Sequence, residues 1–379
     1  MQQEYLVGGA VRDMLLGGSP TEFDYAFSGD AAHFLASHAG ACRVGKSVRV
    51  CLWRGQEYMP LRGGSIESDL AARDLTCNAL ALDADGVLHS HPLALHDLRD
   101  KILRPASAHA FADDPVRAFR LARFAARFPA FSVHEEALRQ MRALHGSGAV
   151  AALPAERVGR ELLKALATPS PARFLRVLAA GGLLSPWFTE LDGCDSIPAG
   201  PAQWHSGSVL EHTARVMNAV AGDSMAVWMA LCHDLGKMTT PPAELPHHYQ
   251  HEKRGEALAL ALAERLALSR LHRQAGTLAV RQHMKAGMYD RLRIGTCRDL
   301  LWATRQEPFH DAFWRMVDAD SRNRHSVRAA QELTVIAAVR LPEVWQNRGI
   351  ESARQLRELQ CLALRRFREA QRQDEKKAG

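Results

Sequence analysis

The sequence predicts an α+β protein in which a short mixed β-sheet at the N-terminus is followed by polypeptide that is almost entirely helical. Three observations lead there. Brief β-rich runs, Tyr5-Leu6-Val7, Val48-Arg49-Val50-Cys51-Leu52-Trp53 and Ala79-Leu80-Ala81-Leu82, all fall before residue 105. From Asp113 onward Ala, Leu, Arg and Glu recur at helical spacing, punctuated by turn signals such as Gly181-Gly182 and Pro169-Ser170-Pro171. Finally, 379 residues with 47% hydrophobic content exceed what one core organises. A stretch rich in Gly, Pro and Ser at 196–207 reads as an inter-domain connection, and 352–379 as an Arg- and Glu-rich helix fading into a polar tail. The expected divisions are therefore 1–104, 105–195, 196–340 and 341–379.

Charge and composition narrow the function classes. Lys and Arg total 48 against 42 Asp and Glu, a basic balance that favours an anionic partner such as nucleic acid. The seven cysteines are scattered and never form a CxxC pair, which argues against a disulfide framework or a zinc knuckle and fits a reducing cytoplasm. No run of about 18 apolar residues is available to span a bilayer, and the N-terminus lacks a basic leader. The expectation is a soluble, unprocessed cytoplasmic protein without a membrane partner, monomeric or homodimeric.

The first chemical constellation is Tyr5-Leu6-Val7-Gly8-Gly9-Ala10-Val11-Arg12-Asp13, a strand running through a Gly pair into an amphipathic helix. Gly8 and Gly9 let backbone N–H groups approach an anion at the positive end of that helix, and Arg12 adds a cation one turn in. A plain strand-to-helix turn would look the same taken alone. Glu22-Phe23-Asp24 changes the balance: acids at i and i+2 of a β-like run project from one side and can share Mg²⁺. Two such ions beside a phosphate cradle are what nucleotidyl transfer from a nucleoside triphosphate needs.

Taken together, the segment from Leu6 to Gly17 followed by Glu22-x-Asp24 resembles the signature of the class II tRNA nucleotidyltransferases and their poly(A) polymerase relatives. Asp69-Leu70-Ala71-Ala72-Arg73-Asp74-Leu75-Thr76-Cys77-Asn78 is similar to the family's RRDFTINA motif, so the resemblance implies that Arg73, Asp74 and Asn78 contact the nucleotide. Asn78 has an alternative role in satisfying buried backbone groups. Asp113-Asp114-Pro115-Val116-Arg117 looks like the EDxxR motif that replaces a nucleic-acid template, with Asp114 and Arg117 three apart on one helical face to meet base edges, and Arg120 behind them. An ordinary helix start accounts for Asp113. Ala155-Glu156-Arg157-Val158-Gly159-Arg160-Glu161-Leu162 resembles the neck segment that follows, so the match runs from residue 4 to about 190. The family implies a nucleotidyltransferase palm followed by a helical neck and body, acting on tRNA with CTP and ATP.

Three departures stand out: Glu22 where the family usually has Asp, Ala72 where it commonly has Arg, and only ten residues, 63–72, between Arg62 and Arg73. Within the family a shortened loop there accompanies enzymes that stop after CC, so CCA addition and CC-only addition both stay open.

His233-Asp234-Leu235-Gly236-Lys237 closes the apolar run 225–232 and forms a second centre. An isolated His beside an apolar helix is commonly a satisfied core residue. Here His212 precedes the pair, while His251, His283 and Asp318 or Asp320 follow it, and sets of His and carboxylate suit Mg²⁺, Mn²⁺ or Ni²⁺. The order resembles the HD superfamily, which implies His212, His233, Asp234 and Asp320 as ligands, with Asp318 as the fallback. It also implies that His251, His283 and Lys237 approach a second metal or a scissile phosphate. His247 and His248, in a Pro-rich loop, are expected to face solvent. A tRNA nucleotidyltransferase fused to an HD domain is similar to the multifunctional CCA proteins, whose HD part hydrolyses phosphomonoesters and 2′,3′-cyclic phosphates. The rival readings are a phosphohydrolase with a degenerate RNA-binding head and a poly(A) polymerase.

Overall fold

The computed structural model describes residues 3–44, 50–204, 206–306 and 309–378. It divides into two compact units, one formed by 1–165 with 173–186 and the other by 166–172 with 187–379.

The first unit holds a seven-stranded sheet of β1 (Glu4–Val7), β2 (Asp24–Phe27), β3 (Cys42–Val44), β4 (Val50–Trp53), β5 (Gln56–Pro60), β6 (Leu80–Asp83) and β7 (Leu88–Ser90), in the order 3-4-5-2-1-6-7. The sheet is mixed, as expected: β2 and β5 run parallel while the other neighbours are antiparallel. Of the anticipated second strand, Val48 and Arg49 lie outside the described residues. Alternation along β1 sends Tyr5 and Val7 into a core with Ala26, Ile66, Leu70, Ala79 and Ala81, while Phe27, Phe34, Cys51 and Tyr58 form another cluster. The helices of this unit are α1 (Gly9–Leu15), α2 (Ala31–Ser37), α3 (Ile66–Ala71), α4 (Ala94–Arg99), α5 (Ala110–Asp113), α6 (Val116–Arg127), α7 (Glu135–Leu144), α8 (Ala155–Leu166) and α9 (Ala172–Ala180), the last two crossing the division at their ends.

The second unit is helical, with α10 (Val209–Ala219), α11 (Ser224–Cys232), α12 (His251–Arg265), α13 (Arg270–Ala286), α14 (Ile294–Thr304), α15 (Phe309–Ser321), α16 (His325–Ala338) and α17 (Ile350–Ala378). Helix α11 is its axis. It is apolar all round and buried from Ala226 to Cys232, which only a central helix sustains, and Asp223 caps it by accepting from the N–H groups of Met225 and Ala226. The next residues, His233 and Asp234, are thereby delivered into the interior. Gly236 is needed two positions later, because a Cβ there would lie 1.9 Å from the carbonyl oxygen of His251. The two ends of the expected connection close on each other within this unit: Ala199 N–H donates to the Gly207 carbonyl at 3.0 Å and Val209 N–H to that of Ile197 at 2.8 Å. The C-terminal segment is continuous helix through Ala378, anchored where Arg368 meets the buried Glu332.

Candidate active sites

In the first unit, a cavity of about 600 Å³ opens beside the sheet. Asp24, the first residue of β2, lies in parallel register with Glu57 of β5, and both carboxylates line the cavity. Burial raises the pKa of Asp24 and Glu22 adds to the rise, while Arg73 pulls the other way. Asp24 keeps part of its surface open to the cavity, and a carboxylate with a second acid pressing on it is a position that a cation stabilises. Glu22 itself differs from expectation. It is exposed and precedes the strand, because Gly8 turns β1 away at φ 75° and leaves Glu22 no pairing partner beyond the Val7–Asp24 register.

The opposite wall is basic and tightly organised. Asp69 accepts from Arg62 and Arg73, each at 2.9 Å, and the carboxylate, although buried, is held below its usual range by them. Asp74 pairs with Arg120 at 2.7 Å, accepts from Asn78 Nδ2 at 3.0 Å and from the Leu75 N–H at 2.9 Å. Arg117 donates to the backbone carbonyls of Ala72 at 2.8 Å and Ala110 at 3.1 Å. These bonds pin the stretch where Ala72 stands in place of the expected Arg.

The anticipated nucleotide residues thus divide into two groups. Arg73, Asp74, Asp114, Arg117 and Arg120 line the cavity with Asp24. Arg12 and Asn78 do not. Arg12 is 2% exposed, with its guanidinium 5.2 and 4.9 Å from the rings of Phe124 and Phe128 and donating to Asp13 and to the Asn78 Oδ1. Gly8 and Gly9 lie behind that layer, where a Cβ on Gly8 would stand 2.8 Å from Arg73 Nη1. Asp114 is not on a helical face with Arg117 as the spacing suggested. It is extended (φ −150°, ψ 97°) between α5 and α6, since the following Pro115 disfavours helical geometry at that position. Its Oδ2 accepts from Arg157 of α8 at 2.7 Å.

Glu57, Arg62, Asp69 and Arg157 were assigned no role by sequence reasoning. The four-residue separation of Asp69 from Arg73 was a readable helix-pair signal. Glu57 and Arg157 are brought in by strand pairing and helix packing, which local patterns do not carry.

In the second unit, five side chains converge on Asp234. His212 and His233 place Nε2 3.1 Å from its Oδ2, and Lys237 Nζ lies 2.8 Å from the same oxygen. On the other side His251 and His283 stand 3.3 and 3.5 Å from Oδ1. Asp320 Oδ1 is 3.1 Å from His212 Nε2, whereas Asp318 instead accepts from the Ser326 N–H at 3.1 Å and caps the next helix. Two groups with metal-ligating geometry result, His212–His233–Asp234 and Asp234–His251–His283.

The donor chemistry fits a divalent ion. Nδ1 of His233, His251 and His283 sits 2.7, 2.8 and 2.9 Å from the carbonyls of Ala230, His248 and Val280. A carbonyl only accepts, so in each neutral ring the hydrogen is on Nδ1 and Nε2 aims a lone pair at the Asp234 carboxylate. Lone pairs facing a carboxylate call for a cation between them, and the buried Asp234 Oδ2 correspondingly lacks a well-aligned hydrogen bond despite its near neighbours. Burial opposes protonation of His212, but Asp234 and Asp320 more than offset it. Of the two loop histidines, His247 is exposed as expected. His248 is not free in solvent: it bonds Thr240 Oγ1 at 2.7 Å and the Pro198 carbonyl at 2.8 Å, because the chain at Pro198 lies against this loop. Lys237 holds the neighbouring Ala199 carbonyl at 2.8 Å.

Among the described residues no helix is long and apolar enough to cross a membrane. A mixed sheet carrying carboxylates against an arginine wall, followed by helices, defines a nucleotidyltransferase-type palm with a helical extension. Solved structures share that fold: the Thermotoga maritima CCA-adding enzyme complexed with tRNA (TM-score 0.66, 17% identity, 96% of this chain and 87% of that one) and a tRNA-processing enzyme with CTP (0.62, 20%, 96% and 97%). Residues 130–194 match a family model described as the probable RNA and SrmB-binding site of polymerase A. The multifunctional CCA protein of Alkalilimnicola ehrlichii is 38% identical over 348 residues, 84% of each chain, and that of Halorhodospira halophila 34% identical over 405, 96% of each. The chain belongs to the family of bacterial multifunctional CCA proteins.

Proposed function

We propose that the protein is a tRNA nucleotidyltransferase that adds CMP and AMP to the 3′ end of tRNA from CTP and ATP without a nucleic-acid template. The observation that carries this reading is the single cavity in which Asp24 and Glu57 face Arg73, Arg117, Arg120 and Arg157. Asp24, with Glu22 and Glu57, would hold Mg²⁺, which would supply positive charge where the tRNA 3′-hydroxyl meets the α-phosphate. The 3′ oxygen–phosphorus bond forms as the α–β anhydride breaks, the hydroxyl proton passes to solvent, and pyrophosphate leaves with the electron pair. Arg73 and Arg120, fixed by Asp69 and Asp74, hold the triphosphate. Asp114 and Arg117 meet the Watson–Crick edge of the incoming base. Arg12 and Asn78 support this wall from behind. Incorporation of labelled CMP into tRNA lacking its CCA end tests the reading, and its absence with Mg²⁺ present overturns it.

A second reading, CC-only addition, is favoured by the connection between β5 and α3. It is a short, tied turn: Gly63 and Gly64 take φ 70° and 79°, Arg62 is clasped to Asp69, and Ser65 caps α3. Such a turn leaves little freedom to reshape the cavity between two bases.

We further propose that the second unit is a metal-dependent phosphohydrolase acting on phosphomonoesters and 2′,3′-cyclic phosphates. His212, His233, Asp234 and Asp320 would hold a divalent ion such as Ni²⁺ or Mn²⁺, which supplies Lewis acidity at phosphorus. His251 and His283 would hold a second ion together with Asp234 or approach the scissile phosphate, and Lys237 would neutralise the charge of that phosphate. Domain limits of 1–104 for the head, 105–195 for neck and body, 196–340 for the HD part and 341–379 for the tail, and a cytoplasmic location, complete the reading.

A further inference from the structure

A second large cavity, about 820 Å³, opens in the helical unit between residues 290–294, the start of α16 and the C-terminal half of α17. Seven arginines and two carboxylates line it. Two of the arginines are committed to structure. Arg368 is 8% exposed and donates to Glu332 at 2.8 and 2.6 Å, while Arg328 joins Glu332 to Asp290. The other five, Arg291, Arg293, Arg324, Arg365 and Arg372, form no ion pair among the described residues.

A basic helix face bathed in water is an ordinary feature, and three observations set this one apart. The five guanidinium groups come from three separate segments that converge on one concavity rather than from one exposed face. Arg365, Arg368 and Arg372 lie on one side of α17 and mark out about 10 Å of its axis, room for more than one phosphate. Arg324 occupies the N-cap position of α16 but makes no capping hydrogen bond, that terminus being capped by Asp318 through the Ser326 N–H, so its guanidinium is left to the cavity. Mutual repulsion of these groups is relieved by an anion, and planar guanidinium forks suit phosphate oxygens.

We infer that this cavity is a binding site for closely spaced phosphate groups, separate from the nucleotidyl-transfer cavity. Two sources present that chemistry, an RNA backbone and a free polyphosphate. The inference does not rest on the transfer reaction: a protein inactive toward CTP would still carry the site.

The test uses the full-length protein with Arg293→Ala, Arg324→Ala and Arg372→Ala combined, which leaves the Arg328–Glu332–Arg368 anchor intact. Fluorescence anisotropy reads affinity for tRNA lacking CCA, with competition by inorganic tripolyphosphate. If RNA is the source, tRNA binding weakens about tenfold or more near 0.1 M salt and the slope of log K against log salt falls by roughly 2–3. The triple Arg→Lys variant should recover most of the loss, and an Arg291→Gln, Arg365→Gln variant should weaken binding from the opposite wall. Loss of tripolyphosphate binding with tRNA affinity intact assigns the site to a free polyphosphate. Unchanged affinity for both anions in both charge-removing variants overturns the inference. CMP incorporation at saturating tRNA, measured on the same samples, reports separately on the transfer reaction.

Discussion

Arg157 Nη2 stands 2.7 Å from Oδ2 of Asp114, so a residue of α8 sets the orientation of an acid that belongs to the junction between α5 and α6. Among the described residues the Asp114 carboxylate has one other hydrogen bond, a long 3.4 Å contact from the Val116 N–H. Arg157→Ala should therefore loosen the base-reading acid without touching the metal carboxylates. The expected outcome is a roughly tenfold loss in the kcat/KM preference for CTP over UTP, with a smaller change in kcat. Arg157→Lys should restore part of the discrimination. Direct replacement of Asp114 or Arg117 by Ala should cost more selectivity than Arg157→Ala, and unchanged selectivity in all three would remove these residues from base reading.

Asp24→Asn removes one negative ligand from the head alone. CMP incorporation should fall by a factor on the order of 10³ while hydrolysis of a 2′,3′-cyclic phosphate is unchanged. Glu57→Gln should lower incorporation as well, because the two residues share a register across β2 and β5. Retained incorporation in Asp24→Asn would contradict the carboxylate assignment.

Acid stability reports on the arginine wall. Burial alone would raise the pKa of Asp74, but the ion pair with Arg120 and the Asn78 and Leu75 donors hold it well below the usual carboxylate range. Because the folded value lies below the unfolded one near 3.9, the contribution of this group is present above about pH 4 and is lost as pH falls further. Asp74→Asn should cost roughly 1–3 kcal/mol at pH 6, with the gap in Tm narrowing toward pH 3. A gap that does not change with pH would mean that the ion pair contributes nothing.

The extent to which this was legible in the sequence follows from how local each signal is. Mixed sheet before helices, the HD pair at the end of a buried helix and the Asp69-to-Asn78 stretch were readable because period, Gly placement and i, i+4 spacing are local. Glu22 was misplaced onto the strand because the end of pairing is set by Gly8, a residue of the neighbouring strand's exit. Asp114 was placed on a helix although Pro115 follows it, which was a legible signal overlooked. Burial of Arg12 against Phe124 and Phe128 depends on packing with α6, more than a hundred residues away, and no spacing rule carries that. The histidines of the second unit were grouped into one site through the resemblance to the HD superfamily, but their common focus on Asp234 is a property of four helices meeting.

The histidine centre makes its own prediction. His233→Ala with Asp234→Ala should eliminate cyclic-phosphate hydrolysis while tRNA extension continues, since these two side chains supply adjacent ligands and none of the cavity residues of the head. Added Ni²⁺ or Mn²⁺ should stimulate the wild-type hydrolase and raise the Tm of wild type but not of the double variant. Wild-type hydrolysis by the double variant at saturating metal would return His233 and Asp234 to a purely structural role.

The most direct test of the central reading is sequencing of tRNA 3′ ends after incubating the protein and Mg²⁺ with tRNA lacking CCA, in CTP alone, ATP alone and both together. The account predicts two added C residues in CTP alone, no addition in ATP alone and a terminal A after CC when both are present, whereas ends stopping at CC in the mixture would assign the second reading. Unextended tRNA in all three mixtures would contradict nucleotidyl transfer by this chain.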